Sequence, residues 1–190
     1  MMGNEMMDSQ TIARDKIVVR ALEKGDLHRY RAIRLSALQL APMAFGSSFE
    51  EENAYSDSVF ARRLEQVDGN AVFGAFDGEN LLGTAGVFRH DRKSERHRGT
   101  LWGVYVAPEA RGLELGKALV AKVIEHAARQ VIILDAKVVA TNEAAKRVYY
   151  ALGFKTYGVE PKSLYVQGQY LDQELIYIDF TDPEWKDKLG

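Results

Sequence analysis

The segment VYVAPEARGLELGKA, from Val104 to Ala118, is the part of the sequence that decides the fold. It begins as an apolar strand, breaks at Pro108, and passes through a turn that contains Gly112 into a helix. The first N–H groups of a helix have no acceptor within the helix, and the helix dipole adds partial positive charge at the same end. The segment therefore predicts a binding site for a phosphate or pyrophosphate group at the start of the helix.

A second informative segment runs from Asn142 to Phe154. It has the pattern of a short helix, with Asn142 as its N-cap and Gly153 as its C-terminal stop. Tyr149 belongs to the apolar stripe of this helix, which also contains Ala145, Val148 and Leu152. Most aromatic residues in such a stripe are core residues, but a phenol near a phosphate site also indicates a nucleotide-bearing cofactor with its reactive end close by.

The hydrophobic pattern of the whole chain predicts seven strands and four helices. Their order is strand, two helices, three strands, helix, strand, helix and two strands. The predicted strands cover residues 17–21, 71–76, 81–89, 100–106, 131–139, 163–166 and 173–180, and the predicted helices cover residues 27–40, 58–66, 114–129 and 143–152.

The links between these elements indicate how the strands pair. The turn Asp77–Asn80 predicts a hairpin, and three consecutive strands with short links predict an antiparallel meander. The helix at 114–129 would cross over between two parallel strands. We therefore expect an α/β (α+β) fold with a mixed, mostly antiparallel central sheet of about seven strands, flanked by helices. Ligands favour the place where neighbouring strands part, here near Val106 and Val139.

Length and composition limit the other possibilities. The 190 residues predict one domain at 16–182, with a disordered N-terminal tail at 1–15 and a C-terminal tail at 183–190. The sequence has no cysteine, which excludes disulfides, thiolate metal sites and a cysteine nucleophile. A net charge of −2 gives no reason to expect nucleic acid as a partner. Without an apolar run long enough for a signal peptide or a membrane span, we expect a cytoplasmic protein with no membrane partner.

Two common nucleotide motifs do not fit the first segment. A P-loop requires four residues between its glycines, but three separate Gly112 from Gly116, and Ala118 stands where Ser or Thr would bind magnesium. No G-x-G-x-x-G sequence is present, so a dinucleotide-binding fold has no support either.

The two segments together resemble the signatures of the GCN5-related N-acetyltransferase (GNAT) superfamily. Val106-x-Pro108-x-x-Arg111-Gly112-x-x-x-Gly116 resembles its acyl-CoA-binding motif, and Asn142-x-x-Ala145-x-x-x-Tyr149-x-x-x-Gly153-Phe154 is similar to its second signature. The predicted element order matches the acyl-CoA N-acyltransferase-like fold of that superfamily. The resemblance covers the chain from Ile17 to Phe180.

This resemblance implies acetyl-CoA as co-substrate, with no metal, and assigns roles to the residues. Tyr149 would be catalytic, since it would protonate the leaving thiolate. The pantetheine arm would pair with the backbone of residues 104–106 and contact Asn142, and amides between Arg111 and Lys117 would hold the pyrophosphate. The implied cofactor-binding residues are Val104, Tyr105, Val106, Arg111, Gly112, Glu114, Leu115, Gly116, Lys117, Asn142 and Ala145.

The implied function is an acetyl-CoA-dependent N-acetyltransferase that moves an acetyl group to a primary amine of a small molecule or peptide, by direct attack in a ternary complex. The alternative is a catalytically weak acyl-CoA-binding or sensing module of the same fold. Two observations motivate this alternative. Glu114 stands where the superfamily has a small residue, and no general base can be named from the sequence.

The acceptor side is less well defined. The superfamily builds its acceptor pocket in the segment that contains Phe45, Glu50 and Glu51, which we therefore expect to bind substrate. The acidic run 50–52 is either a solvated surface or a source of the base, and it could favour a cationic amine. The four histidines lack the spacing of metal ligands. Terminal strands pair across dimers in many members, so a homodimer is one expected assembly.

Overall fold

The computed structural model describes residue 12 and residues 14–186, and within that part of the chain it contains seven strands. They are β1 (Ile17–Ala21), β2 (Ala71–Asp77), β3 (Asn80–Arg89), β4 (Arg98–Val106), β5 (Ile133–Val139), β6 (Lys155–Val166) and β7 (Gln169–Asp179). All seven form one sheet in the order β1-β2-β3-β4-β5-β7-β6. The β4–β5 pair is parallel and the other pairs are antiparallel, which confirms the predicted mixed sheet.

Four of the helices correspond to predicted ones: α1 (Leu27–Leu40), α3 (Asp57–Arg63), α4 (Leu115–Ala127) and α5 (Glu143–Ala151). The helices α2 (Phe49–Asn53) and α6 (Pro183–Lys186) were not predicted. α2 begins with a capping box, in which Glu51 N–H donates to Ser48 Oγ and Ser48 N–H donates to the Glu51 carboxylate. Such a Ser-x-x-Glu pattern is readable from sequence, although five residues are too few to show helical periodicity.

The ends of the chain are described only in part. Residues 1–11 and 13, most of the predicted N-terminal tail, lie outside the described residues, as do residues 187–190. Arg14–Lys16 forms a 3₁₀ turn that leads into β1. The segment predicted as a C-terminal tail starts with α6, where the buried Trp185 packs edge-on against Phe180.

β6 is the largest difference between predicted and observed strands. The pattern predicted a strand at 163–166, but β6 starts at Lys155, directly after the loop that ends α5. Most of its residues are polar or exposed, and it lies at one edge of the sheet. Its extended backbone is stabilised by pairing with β7. Because its side chains do not alternate between apolar and polar, the sequence pattern does not reveal the full strand.

Helices cover both faces of the sheet. α4 carries apolar residues at steps of three and four, and its buried Leu119, Val120 and Val123 join the larger core cluster against β2, β3 and β4. α1 and α3 cover the opposite face of the first half of the sheet. Their clusters are built around Tyr30 with Phe60 and around Ile33 with Phe45.

The parallel pair β4–β5 separates soon after it starts. Its register contains only three residue pairs and ends at Thr100 opposite Asp135. Farther along β4, Gly103 has a φ of 65° and the register with β3 shifts between Thr84 and Gly86, which is a β-bulge. Beyond the bulge, Val104 and Val106 pack on the α4 side. The separation and the bulge together open a gap between β4 and β5, at the position predicted from sequence.

Candidate active site

The gap between β4 and β5 holds a cavity of about 730 Å³, which we call the splay cavity. The structure brings the predicted catalytic residue and all predicted cofactor-binding residues into its wall. These are Tyr149, Val104, Tyr105, Val106, Arg111, Gly112, Glu114, Leu115, Gly116, Lys117, Asn142 and Ala145. Phe45, predicted as a substrate residue, lines the same cavity.

The backbone of β4 forms one wall of the splay cavity. Tyr105 and Val106 pair with Thr84 and Gly83 of β3 on one side only, because β5 has already diverged. Their other edge faces the cavity. An open strand edge can pair with an extended ligand that carries amide groups, as another strand would.

The start of α4 forms the polar end of the cavity. The first helical hydrogen bond is donated by Ala118 N–H to Glu114 O, at 3.1 Å, so the N–H groups of residues 115–117 have no acceptor within the helix. Gly112 has a φ of 84°, which turns the chain into this position. A Cβ at Gly116 would come no closer than 3.8 Å to Val106, so the room beside it is available to a ligand. The arrangement suits an anionic group such as a pyrophosphate.

Glu114 departs from the glycine-rich pattern of this turn. Its φ of 58° is the left-handed conformation that glycine adopts more readily. Its side chain is half exposed and its carboxylate forms an ion pair with Arg14.

Tyr149 is a buried phenol at the inner wall of the cavity. It is 7% exposed and its ring packs edge-on against Phe154, with 5.5 Å between ring centroids. Its hydroxyl makes no hydrogen bond within the described part of the chain. Burial raises the pKa of Tyr149 to about 12, so the phenol stays protonated at neutral pH. A protonated, unengaged hydroxyl can donate to a ligand group.

Asn142 caps α5, and it retains a free donor group. Its side-chain oxygen accepts a hydrogen bond from Ala145 N–H at 3.1 Å. The amide NH₂ is not used by this cap and can reach a ligand in the splay cavity that Asn142 lines. The capping and binding interpretations of Asn142 are therefore compatible.

A second cavity of about 1,010 Å³, which we call the acceptor-side cavity, lies across the bulge of β4. Ala44 and Phe45 line both cavities, and the consecutive residues Gly103 and Val104 line one each. A group in the acceptor-side cavity can therefore approach a group in the splay cavity at this junction.

The acceptor-side cavity contains a hydrogen-bonded chain of three side chains. His90 Nε2 is 3.0 Å from Thr100 Oγ1, and Thr100 Oγ1 donates to Asp135 Oδ1 at 2.6 Å. Asp135 also accepts from Arg98 Nη2 at 2.8 Å. On its other side, His90 Nδ1 lies 3.7 Å from the carboxylate of Glu95.

The acidic run 50–52 is divided between two environments. Glu50 and Glu51 line a third cavity of about 660 Å³, which meets the other two at Phe45, and Glu51 is also part of the α2 capping box. Glu52 is fully buried and receives hydrogen bonds from Arg34 and Arg63, with shortest distances of 2.6 and 2.7 Å. Burial acts to raise the pKa of the Glu52 carboxyl, but the two guanidinium groups outweigh it and lower the pKa to about 2.

Sequence reasoning did not single out His90, Thr100, Asp135, Arg34 or Trp102 as site residues. They come from α1, the loop after β3, β4 and β5, and no spacing rule connects positions so far apart. The alternation of side chains along β4 indicates that Thr100 and Trp102 lie on one face of the sheet. It does not indicate which residues of other elements pack against that face.

Two further findings concern metals and membranes. No group of three or more His, Asp or Glu side chains in the described ranges is arranged to hold a metal ion. Within residues 12 and 14–186, no helix has the length and apolar character needed to span a membrane.

Comparison with protein families shows a match over most of the chain. The model described as acetyltransferase (GNAT) family matches residues 35–154, a range that contains both signature segments. No curated protein was found to match the chain.

Solved structures with the same fold are numerous. The Brucella melitensis ribosomal-protein-alanine N-acetyltransferase is 26% identical, with a TM-score of 0.72 over 85% of this chain and 99% of that one. A putative acetyltransferase from Salmonella typhimurium, solved with its cofactor acetyl-CoA, is 21% identical, with a TM-score of 0.75 over 87% of this chain and 95% of that one. A Sinorhizobium meliloti phosphinothricin acetyltransferase in complex with acetyl-CoA is 21% identical, with a TM-score of 0.74 over 86% and 88%.

Proposed function

This chain belongs to the acetyltransferase (GNAT) family, and we propose that it transfers an acetyl group from acetyl-CoA to a primary amine by direct attack in a ternary complex. The observation that carries the proposal is the convergence at one cavity of the open β4 edge, the unpaired N–H groups at the start of α4 and the free Tyr149 hydroxyl. These are the groups needed for an extended amide-bearing arm, a pyrophosphate and a leaving thiolate.

The residues present fit acetyl-CoA. The open space beside Gly116 and the cationic side chains of Arg111 and Lys117 suit a pyrophosphate, and the β4 edge suits the two amides of the pantetheine arm. Two of the similar structures are described as containing acetyl-CoA, which supports this choice of co-substrate.

The reaction follows from the positions of these groups. Acetyl-CoA supplies an activated acetyl thioester. The two cavities meet at Phe45 and the Gly103–Val104 bulge, where the amine can approach the thioester carbonyl. Because both substrates are held there side by side, the reaction is effectively unimolecular. A backbone N–H near Val106 stabilises the developing oxyanion. Tyr149 donates its proton to the departing thiolate sulfur.

An amine must lose a proton before it can attack, and His90, which lines the acceptor-side cavity, is our candidate for the group that takes it. Thr100 has one hydroxyl proton, and it donates that proton to Asp135, so its oxygen must accept from His90 Nε2–H. The lone pair of the neutral imidazole is therefore on Nδ1. Nδ1 lies 3.7 Å from the carboxylate of Glu95, and Asp135 lies behind Thr100 on the other side of the ring.

The catalytically weak sensing module is the second candidate. It was motivated by Glu114 and by the absence of a recognisable base. The ion pair with Arg14 reduces the repulsion that Glu114 would exert on a pyrophosphate. The His90–Thr100–Asp135 chain provides a candidate for the base that the sequence did not reveal. Enzymatic transfer is therefore the better supported function.

A thiol-release assay tests the proposal. The protein is supplied with acetyl-CoA and a panel of amines that includes amino acids, polyamines, aminoglycosides and short peptides with free N-termini. We expect steady release of CoA with at least one class of amine, together with the acetylated product by mass spectrometry. Binding of acetyl-CoA without turnover across the panel would instead support the sensing module.

A further inference from the structure

Two buried hydrogen-bond donors in the wall of the acceptor-side cavity have no acceptor. Arg34 Nη1 and Trp102 Nε1 are both inaccessible to water and unpartnered among the described residues, and both residues line this cavity. Buried polar groups in proteins are nearly always paired, because an unpaired one costs about 1–3 kcal/mol. Two such donors in one cavity wall indicate that a ligand supplies the acceptors.

The geometry of Arg34 leaves one corner of its guanidinium free. Its Nε and Nη2 atoms both donate to Glu52, with a shortest distance of 2.6 Å, so Nη1 is turned away from that carboxylate. The side chain is only 7% exposed, and the ring of Phe45 lies over it, 4.8 Å from Cζ to the ring centroid. Nη1 is therefore the one unpaired nitrogen of a side chain that lines the acceptor-side cavity together with Phe45.

The charge of this region favours an anion. Glu52 is shared between Arg34 and Arg63, so the three side chains carry two positive charges and one negative charge. Arg63 also lies over Trp102, 5.6 Å from Cζ to the ring centroid, which joins the second free donor to the same cluster. A net positive charge held in a buried cluster is stabilised by a nearby carboxylate.

We propose that the acceptor of this enzyme is a small primary amine that carries a carboxylate, as an amino acid does, and that Arg34 Nη1 and Trp102 Nε1 bind that carboxylate. This inference rests on the proposed acetyl transfer, since it names the substrate class of the same site. The carboxylate enters between Arg34 and Phe45, whose ring turns toward the neighbouring cavities that it also lines. The amino group is then directed to the junction with the splay cavity.

Matched substrates test the carboxylate directly. Initial rates are measured with acetyl-CoA and a series of L-amino acids, each compared with its own carboxamide. Because charge-assisted hydrogen bonds are about twice as strong as neutral ones, we expect kcat/KM to be about tenfold or more higher for the acids. In parallel, we expect the acids, but not the carboxamides, to raise the unfolding temperature of the protein in the presence of CoA.

Two variants remove the proposed donors, and because Arg34→Lys also loses the paired hydrogen bonds to Glu52, its folding is checked by thermal unfolding. Trp102→Phe loses the indole N–H, and Arg34→Lys keeps the charge but loses the planar fork. Each should lower the preference for acid over carboxamide severalfold, mainly through KM. Trp185→Phe is the matched control, because Trp185 Nε1 is also buried without a partner but lies in α6, away from both cavities.

The outcomes separate this inference from the proposed function. Acetylation of amines with equal or better use of the carboxamides would overturn the inference and leave the transferase intact. The same conclusion would follow if Trp102→Phe lowered kcat/KM equally for both members of each pair. Absence of transfer to any amine would contradict the proposed function, and stabilisation by acids would then still report whether the carboxylate site exists.

Discussion

The carboxylate of Glu114 lies 2.5 Å from the guanidinium of Arg14, which joins the turn before β1 to the start of α4. Both side chains are more than half exposed, so the pair contributes little to stability. The ion pair instead changes the charge at the start of α4. Glu114 is the one acidic side chain at the start of a helix that is otherwise suited to a pyrophosphate, and Arg14 neutralises it.

We expect Arg14→Ala to weaken acetyl-CoA binding severalfold, because the Glu114 carboxylate would then repel the pyrophosphate. The double variant Arg14→Ala with Glu114→Gln should restore most of the affinity, as measured by isothermal titration calorimetry at low salt. Glu125→Gln, which removes an acid from the other end of α4, is the matched control. Equal binding by the Arg14 variant and the parent would contradict this role.

Glu114→Gly should leave the stability of the fold unchanged or raise it slightly. A non-glycine residue at a φ of 58° carries a strain of about 1 kcal/mol, which glycine removes at the cost of a more flexible unfolded chain. We expect a small rise or no change in the unfolding temperature and tighter binding of acetyl-CoA. A clear loss of stability would show that the Arg14 contact contributes more than the geometry indicates.

Tyr149→Phe should lower kcat by about 10–10³-fold, because general acid catalysis contributes on the order of 10²–10⁴. Its hydroxyl has no partner among the described residues, so stability should be unchanged. Tyr150→Phe is the control, since the neighbouring hydroxyl bonds to Glu174 and Thr156 on the surface. Near-normal turnover of the Tyr149 variant would show that Tyr149 is not the general acid.

The pKa of Tyr149 makes a further prediction about pH. The acid acts in its protonated form, which is the dominant form below the raised value of about 12. Deprotonation of Tyr149 should therefore not lower kcat between pH 7 and about 10. A fall in kcat in that range that disappears in Tyr149→Phe would contradict this.

His90→Gln should lower kcat/KM at neutral pH by about 10–100-fold if His90 accepts the proton of the amine. The deficit should shrink at higher pH, where more of the amine is already neutral. The acidic groups near His90 are Glu95 in the following loop and Asp135 behind Thr100, and Asp91 lines the same cavity. Arg89 and Arg98 are the nearby cations, but each is engaged, by the Arg96 carbonyl and by Asp135 respectively.

Thr100→Val tests the positioning of His90 by removing the hydroxyl that fixes its tautomer. We expect a smaller loss than for His90→Gln, with the same dependence on pH. His97→Gln changes an exposed histidine in the adjacent loop and should have no effect. A pH-independent loss in the His90 variant would indicate a structural role only.

Glu52→Gln should destabilise the protein by about 3 kcal/mol at pH 7, because a buried carboxylate shared by two arginines is replaced by a neutral amide. The pKa of Glu52 is lower in the folded protein, at about 2, than the ordinary 4.5. Its contribution is therefore present above pH 4.5 and is lost as the pH falls toward 2. Denaturant unfolding should show this pH dependence in the parent and in the Glu50→Gln control, but not in Glu52→Gln.

The acetyl-CoA side of the site could be predicted from the sequence because its parts are local. A strand, a glycine turn and a helix start lie within Val104–Ala118, and the cap and the phenol lie within Asn142–Phe154. Hydrogen-bonding geometry over a few residues determines the direction of the N–H groups, so pattern and spacing were sufficient. The family match over residues 35–154 confirms the resemblance that these two segments indicated.

The acceptor side was decided only by the tertiary structure. Arg34, His90, Trp102 and Asp135 come from α1, the loop after β3, β4 and β5, and strand register and helix packing bring them to one cavity. The acidic run that the sequence offered as a source of the base is instead divided, with Glu52 buried between two arginines. Local pattern reports how each residue lies on its own element. Which charges end up paired, and which donors remain free, depends on long-range packing that no single segment encodes.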